Sequence, residues 1–176
     1  MKKKTIKSEI AFNGHFLKIK RDQIEQSDGQ TYSREYFEHP GASLIVPILP
    51  DGRLLFIQQY RHAMKSIFIE FPAGKRDPNE GYEETARREL LEETGYLASK
   101  LEFMCTIHPV ISYSTEQIDC YFARNLILQK RNLDPGENIE LLPMTLKDSL
   151  AQLKAGKITD VKTMIALLWY EKWAQG

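Results

Sequence analysis

The chain has 176 residues, the size of one domain or of one domain with a small appendage. Lys plus Arg total 24 and Asp plus Glu total 24, so there is no whole-protein field to capture nucleic acid or an anionic membrane surface. Hydrophobic residues at 42% and charged residues at 27% are globular proportions and argue against a disordered chain.

The basic opening stretch, residues 1–12, is followed by no apolar h-region, and no apolar run approaches bilayer length. A cytoplasmic protein without a membrane partner is the expectation. Residues 1–40 read as short strands joined by turns, with Ser27-Asp28-Gly29-Gln30 as a turn signal and His39-Pro40-Gly41 as a break. Ala42 to Leu49 is an apolar strand, Pro50-Asp51-Gly52 a tight turn, and Leu54 to Tyr60 the expected hairpin partner. Ile67 to Phe71 reads as another strand, halted at Pro72-Ala73-Gly74.

A helix is predicted over Tyr82 to Thr94, with Gly95 in the left-handed C-terminal position. Glu83 with Arg87 and Glu84 with Arg88 are i,i+4 pairs in the favoured order, and Ala86, Leu90 and Leu91 form its apolar stripe. Strands are expected at Leu101 to Ile107 and Ile118 to Leu128. Thr145 caps a helix that Gly156 ends, and Asp160 caps a last helix with Met164, Ile165, Leu168 and Trp169 as its apolar face. The fold class is therefore mixed α/β. Cys105 and Cys120 are too few for a disulfide framework and lack metal-site spacing, so buried thiols are expected. His15, His39, His62 and His108 show no ligand spacing either.

Residues 74–96 carry the chemistry. Glu89, Glu92 and Glu93 stand at i, i+3 and i+4, which puts three carboxylates on one helical face. Like charges at that spacing repel, and a divalent cation between them removes the repulsion. Carboxylate oxygens suit Mg²⁺ or Mn²⁺. Gly74 would let the backbone turn sharply, so that a main-chain carbonyl could join the metal. Taken alone, the acid cluster fits a solvated helical face at least as well.

The wider spacing is more specific. Gly74, five residues, Glu80, seven residues, then Arg88-Glu89-Leu90-Leu91-Glu92-Glu93-Thr94-Gly95 resembles the signature of the Nudix hydrolases, departing from it only where Tyr96 replaces a final aliphatic. Residues 35–42, 58–61, 69–74 and 156–167 resemble the ADP-ribose pyrophosphatase branch.

The resemblance implies an α/β/α sandwich over residues 41–176, with residues 1–40 as a strand extension that exchanges across a homodimer. It implies Mg²⁺, or Mn²⁺, held by Glu89, Glu92, Glu93 and the Ala73 carbonyl, with Arg88 steadying the acids by charge-assisted hydrogen bonds. Glu92 would also serve catalysis, and Glu80 either assists from the loop or is simply an acid before a helix.

Arg61 would contact the diphosphate, and Glu70 in the pocket strands would bind substrate. Arg34 and Glu38 match positions near the nucleotide, although as strand charges they equally fit a solvated surface. Glu116, in the loop from His108, would activate water; Ile111-Ser112-Tyr113 departs from the branch's usual Ser-Pro-Gly run and bears on substrate choice. The implied reaction is hydrolysis of ADP-ribose to AMP and ribose 5-phosphate. Alternatives are another nucleotide sugar, such as GDP-mannose or ADP-glucose, or a non-catalytic ADP-ribose sensor. A small nucleoside diphosphate compound, not nucleic acid, is the expected partner.

Overall fold

The computed structural model describes residues 4–133, 136 and 138–174, so the first three residues of the basic opening stretch lie outside it. The chain forms two compact units. One holds the chain up to Gly41 together with His108–Gln117, and the other holds Ala42–Ile107 and the chain from Ile118 onward.

In the first unit, β1 (Lys4–Asn13), β2 (Lys18–Glu25) and β3 (Thr31–Phe37) make an antiparallel sheet in that order. The β2–β3 turn falls where Ser27-Asp28-Gly29-Gln30 predicts it, with Gly29 at φ 81°. Phe37 extends the unit by bridging to Ser114 of the 108–117 segment.

The second unit is a sandwich built on alternation. Its first sheet runs β7 (Ala73–Lys75), β4 (Ala42–Pro47), β9 (Ile118–Leu128), β8 (Tyr96–Ile107), and the β4–β9 pair is parallel. Successive side chains on a strand face opposite ways, so Leu44 and Val46 enter one core while Ile45 enters the other. On Ile45's side lies α1 (Tyr82–Thr94), contributing Ala86 and Leu90, with Tyr96 packed alongside. On the other lie β5 (Leu54–Arg61), α2 (Leu146–Lys154) and α3 (Val161–Trp173), around a stacked Phe56–Phe71 pair with ring centroids 4.2 Å apart.

Three expectations need correction. Leu54 to Tyr60 is not the hairpin partner of Ala42 to Leu49: only an Ile48–Leu54 bridge closes the turn. Instead β5 sits between β6 (Ser66–Glu70) and β10 (Ile139–Met144) in a separate antiparallel sheet. Leu54 to Ile57 are all buried, so this strand needs cover on both faces, which a two-stranded hairpin cannot supply. The residues that α3 buries fully are Thr163, Ala166, Leu167 and Tyr170; of the expected stripe, Met164 and Trp169 are half-buried against the same core and Leu168 is exposed. Both stripes have helical spacing, and the inward one includes a polar Thr because its hydroxyl accepts a hydrogen bond from the Phe71 N–H at 2.9 Å. Arg88 turns away from Glu84, whose carboxylate instead accepts from the Gly81 N–H at 2.7 Å at the start of α1.

The helix caps are where the sequence puts them. Thr145 accepts from Asp148 N, Asp160 from Thr163 N, and Gly95 is left-handed at φ 77°. Cys120 is buried and Cys105 half-buried, facing each other across β8 and β9. Among the described residues no helix is long and apolar enough to cross a membrane.

Candidate active site

Four consecutive residues, from the end of β6 to the start of β7, are fixed one by one. Glu70 is held by its side chain, as detailed below. Phe71 donates its N–H to Thr163 Oγ1. Pro72 accepts from Ile45 N at 2.9 Å, and Ala73 donates to Glu93 Oε2 at 3.0 Å. The chain therefore reaches Gly74 with little freedom, and there the Glu89 carboxylate lies so close that an added Cβ would overlap it. Gly74 is thus required for space rather than for the sharp turn expected of it, since it is not among the residues with positive φ.

Arg88 organises the acids of α1. Its Nε donates to Glu80 Oε1 at 2.9 Å and its Nη2 to Glu80 Oε2 at 3.0 Å. Its Nη1 donates to Glu89 Oε1 at 2.7 Å and to Glu92 Oε2 at 2.9 Å, and Nη2 also reaches the Lys75 carbonyl. One guanidinium thus offsets three carboxylates that would otherwise repel. Glu80 gains most: Arg88, with the Asp77 N–H and the Thr85 hydroxyl, lowers its carboxyl to about 2. Arg88 is itself held firmly protonated, mainly by Glu80. Glu93 stands apart from this cluster, 3% exposed and turned to the Ala73 backbone.

A second charged group joins β5, β6 and α3. Arg61 forks onto Glu70 through Nε and Nη2, both at 2.7 Å, and Lys162 Nζ donates to Glu70 Oε2 at 2.6 Å and to Asp160 Oδ1 at 2.8 Å. Glu70 is only 2% exposed. Burial alone would push its carboxyl up, yet Arg61 and Lys162 outweigh that and hold it below the ordinary carboxylate value. Arg61 is raised in turn, chiefly by Glu70, and it feels the charge of Glu93. Both oxygens of Glu70 are thus engaged by cations of the chain itself. Lys162 and Asp160 lie in the 156–167 stretch that resembles the branch, where the sequence offers Asp160 only as a helix cap and gives Lys162 no role. The helix-cap pattern at Asp160 was the available signal.

The first unit holds the remaining predicted residues. Glu116 donates its N–H to the Ser114 hydroxyl oxygen, and its Oε1 lies 3.9 Å from His39 Nε2. His39 is buried, and its Nδ1 accepts from the Gly41 N–H at 3.0 Å. Glu38 pairs with both Lys18 and Lys20, which lower its carboxyl. Arg34 is exposed on β3 and stacks over Tyr32, 4.6 Å from the ring centroid.

A model of the NUDIX domain matches residues 38–162. The chain belongs to the Nudix family. It is 35% identical over 170 residues to the methanol dehydrogenase activator of Bacillus methanolicus, covering 96% of this chain and 92% of that protein. It is 31% identical over 173 residues to the ADP-ribose pyrophosphatase of Bacillus subtilis, covering 97% and 94%. A crystal structure described as an ADP compounds hydrolase superposes with a TM-score of 0.89 at 25% identity, covering 100% of this chain and 96% of that one. The protein is a Nudix hydrolase, and ADP-ribose pyrophosphatases are among its relatives.

Nudix hydrolases use divalent metal ions, and the Nudix helix here has the matching donor chemistry. Three carboxylates issue from little more than one helical turn, beside a backbone that only a glycine lets come so near. Among the described residues, no three His, Cys, Asp or Glu side chains already stand as a set of metal ligands. Glu89 Oε1 and Glu92 Oε2 accept from Arg88, and Glu93 Oε2 accepts from Ala73 N.

Proposed function

We propose that the protein hydrolyses the diphosphate bond of ADP-ribose to AMP and ribose 5-phosphate, with Mg²⁺ or Mn²⁺ as cofactor. The observation that carries this reading is the packing of Gly74 against Glu89, with Glu93 against Ala73 beside it, which brings hard oxygen donors from helix and strand together. Glu89, Glu92, Glu93 and the Ala73 carbonyl would hold the metal. A bound divalent ion would offset phosphate charge and acidify an attacking water.

The chain's own groups do the rest. Arg88 restrains Glu89 and Glu92 so that three like charges tolerate one helical face before a cation arrives. Arg61 presents a planar, permanently charged guanidinium suited to phosphate oxygens. Glu116 is the proposed general base, with Arg34 and Glu38 proposed at the nucleotide end.

Residues 1–40 are proposed as a dimerisation arm and 41–176 as the hydrolase domain. Support for the arm comes from Ile6, Ile10, Phe12 and Phe16, which are all exposed. Light scattering on the purified protein tests the homodimer. The reading carries with it a cytoplasmic location, with no nucleic acid or membrane as partner.

A substrate panel tests the function. Purified protein with Mg²⁺ and ADP-ribose, GDP-mannose or ADP-glucose should yield AMP and ribose 5-phosphate preferentially from ADP-ribose. Preference for another nucleotide sugar would replace the substrate and keep the chemistry. Binding of ADP-ribose without turnover would make the protein a sensor. The relative named as a methanol dehydrogenase activator favours one added assay, the rate of such a dehydrogenase with and without this protein.

A further inference from the structure

We infer that Lys162, steadied by Asp160, is a positioning residue for Arg61, acting through the buried carboxylate of Glu70. This rests on the reading that Arg61 binds the substrate's diphosphate. A carboxylate as buried as Glu70 must be fully paired, because an uncompensated charge there is strongly destabilising. Arg61 supplies two hydrogen bonds and Lys162 a third, so removing Lys162 leaves Oε2 short of one cation. Among the described residues Arg61 is then the only charged group hydrogen-bonded to Glu70, and the carboxylate onto which it forks is no longer anchored from α3.

The geometry gives that plane a use. The fork to Glu70 occupies Nε and Nη2 of Arg61 and leaves Nη1 on a side chain 41% exposed. An Arg held by one edge presents its other edge in a fixed direction, which is how a guanidinium meets phosphate oxygens with little loss of freedom.

Lys162 is itself fixed by backbone structure. Asp160 spends one oxygen capping α3, on Thr163 N at 3.0 Å, and the other on Lys162. The start of α3 thus aims a cation at Glu70 while Thr163 holds the next residue, Phe71. The C-terminal motif, distant in sequence from the Nudix helix, thereby bears on the substrate contact.

The test compares wild type, Lys162→Met, Lys162→Arg, Arg61→Ala and the Arg61→Ala/Lys162→Met double variant, all checked by thermal unfolding. The readouts are kcat and KM for ADP-ribose and the Kd of non-hydrolysable α,β-methylene ADP-ribose. Lys162→Met is expected to raise KM and Kd about tenfold with kcat little changed, the size of one weakened charge-assisted contact. Lys162→Arg should largely restore both. On the Arg61→Ala background, Lys162→Met should weaken binding no further.

Should Lys162→Met fail to fold, Asp160→Asn, which keeps the cap, should show the same pattern at smaller size. An additive loss in the double variant, or an unchanged Kd in folded Lys162→Met, overturns the proposal. Arg61→Ala that binds like wild type overturns it too. A wild type that binds the analogue yet hydrolyses nothing sinks the hydrolase reading while the Kd series still decides the positioning role. A wild type that does not bind the analogue sinks both.

Discussion

Arg88 and Arg61, both in the second unit, meet glutamates in opposite ways. Arg88 is one cation among four carboxylates, on a partly exposed helix face, with all partners inside residues 75–92. At Glu70 the numbers invert: one buried carboxylate takes two cations, and the network spans Arg61 to Lys162. The first group carries excess negative charge and suits recruitment of a cation. The second is already compensated and suits holding a shape. Excess charge near solvent is a binding feature, whereas balanced charge under cover is an orienting one.

The largest expected effect tests the binding side. Gly74→Ala places a methyl group where the Glu89 carboxylate lies, so the acid must move by an ångström or more. The kcat/KM for ADP-ribose should fall roughly 100-fold while the circular dichroism spectrum stays native. Wild-type turnover in that variant would break the link between the 73–75 strand and the acids.

The orienting side is tested by stability. Thr163→Val removes the acceptor for Phe71 N, which is buried, and should lower unfolding free energy by about 1–3 kcal/mol in urea. A neutral result would mean that the 70–73 segment is held well enough without α3.

A smaller effect separates the two regions by pH. The carboxyl of Glu80 is lowered to about 2 by Arg88, so its contribution is fully present above the ordinary carboxylate value and disappears as pH falls toward 2. The unfolding midpoints of wild type and Glu80→Gln should therefore differ near neutrality and converge across that acid range. A difference that stays constant with pH would show that Glu80 acts by packing rather than by charge.

What could be read from the sequence follows the same division. Local rules reach the Arg88 group, because a helix converts spacing into contact and every partner lies within one motif. Even there Glu84 was misassigned: Arg88 finds a denser set of acids, and Glu84 finds an unpaired N–H at Gly81. The Glu70 network needs three segments brought together by tertiary structure, and no local pattern announces that.

Turn chemistry likewise fixes a reversal at Pro50-Asp51-Gly52, where Gly52 has φ 83°, without saying which sheet receives the next strand. The strand Ile139–Met144 escaped notice because Pro143 weakens its signal, and an edge strand is where a proline can be tolerated. His39 was given no role from spacing alone, and its proximity to Glu116 arises from pairing between Phe37 and Ser114.

The most direct measurement titrates Mg²⁺ into wild type and Glu93→Gln by calorimetry, with ADP-ribose turnover followed in the same samples. The account predicts that wild type binds the ion and turns over, while folded Glu93→Gln binds it weakly and loses activity by roughly 100-fold or more. Equal metal affinity and equal turnover in the two proteins would contradict it, and the Nudix helix would then not be the metal site.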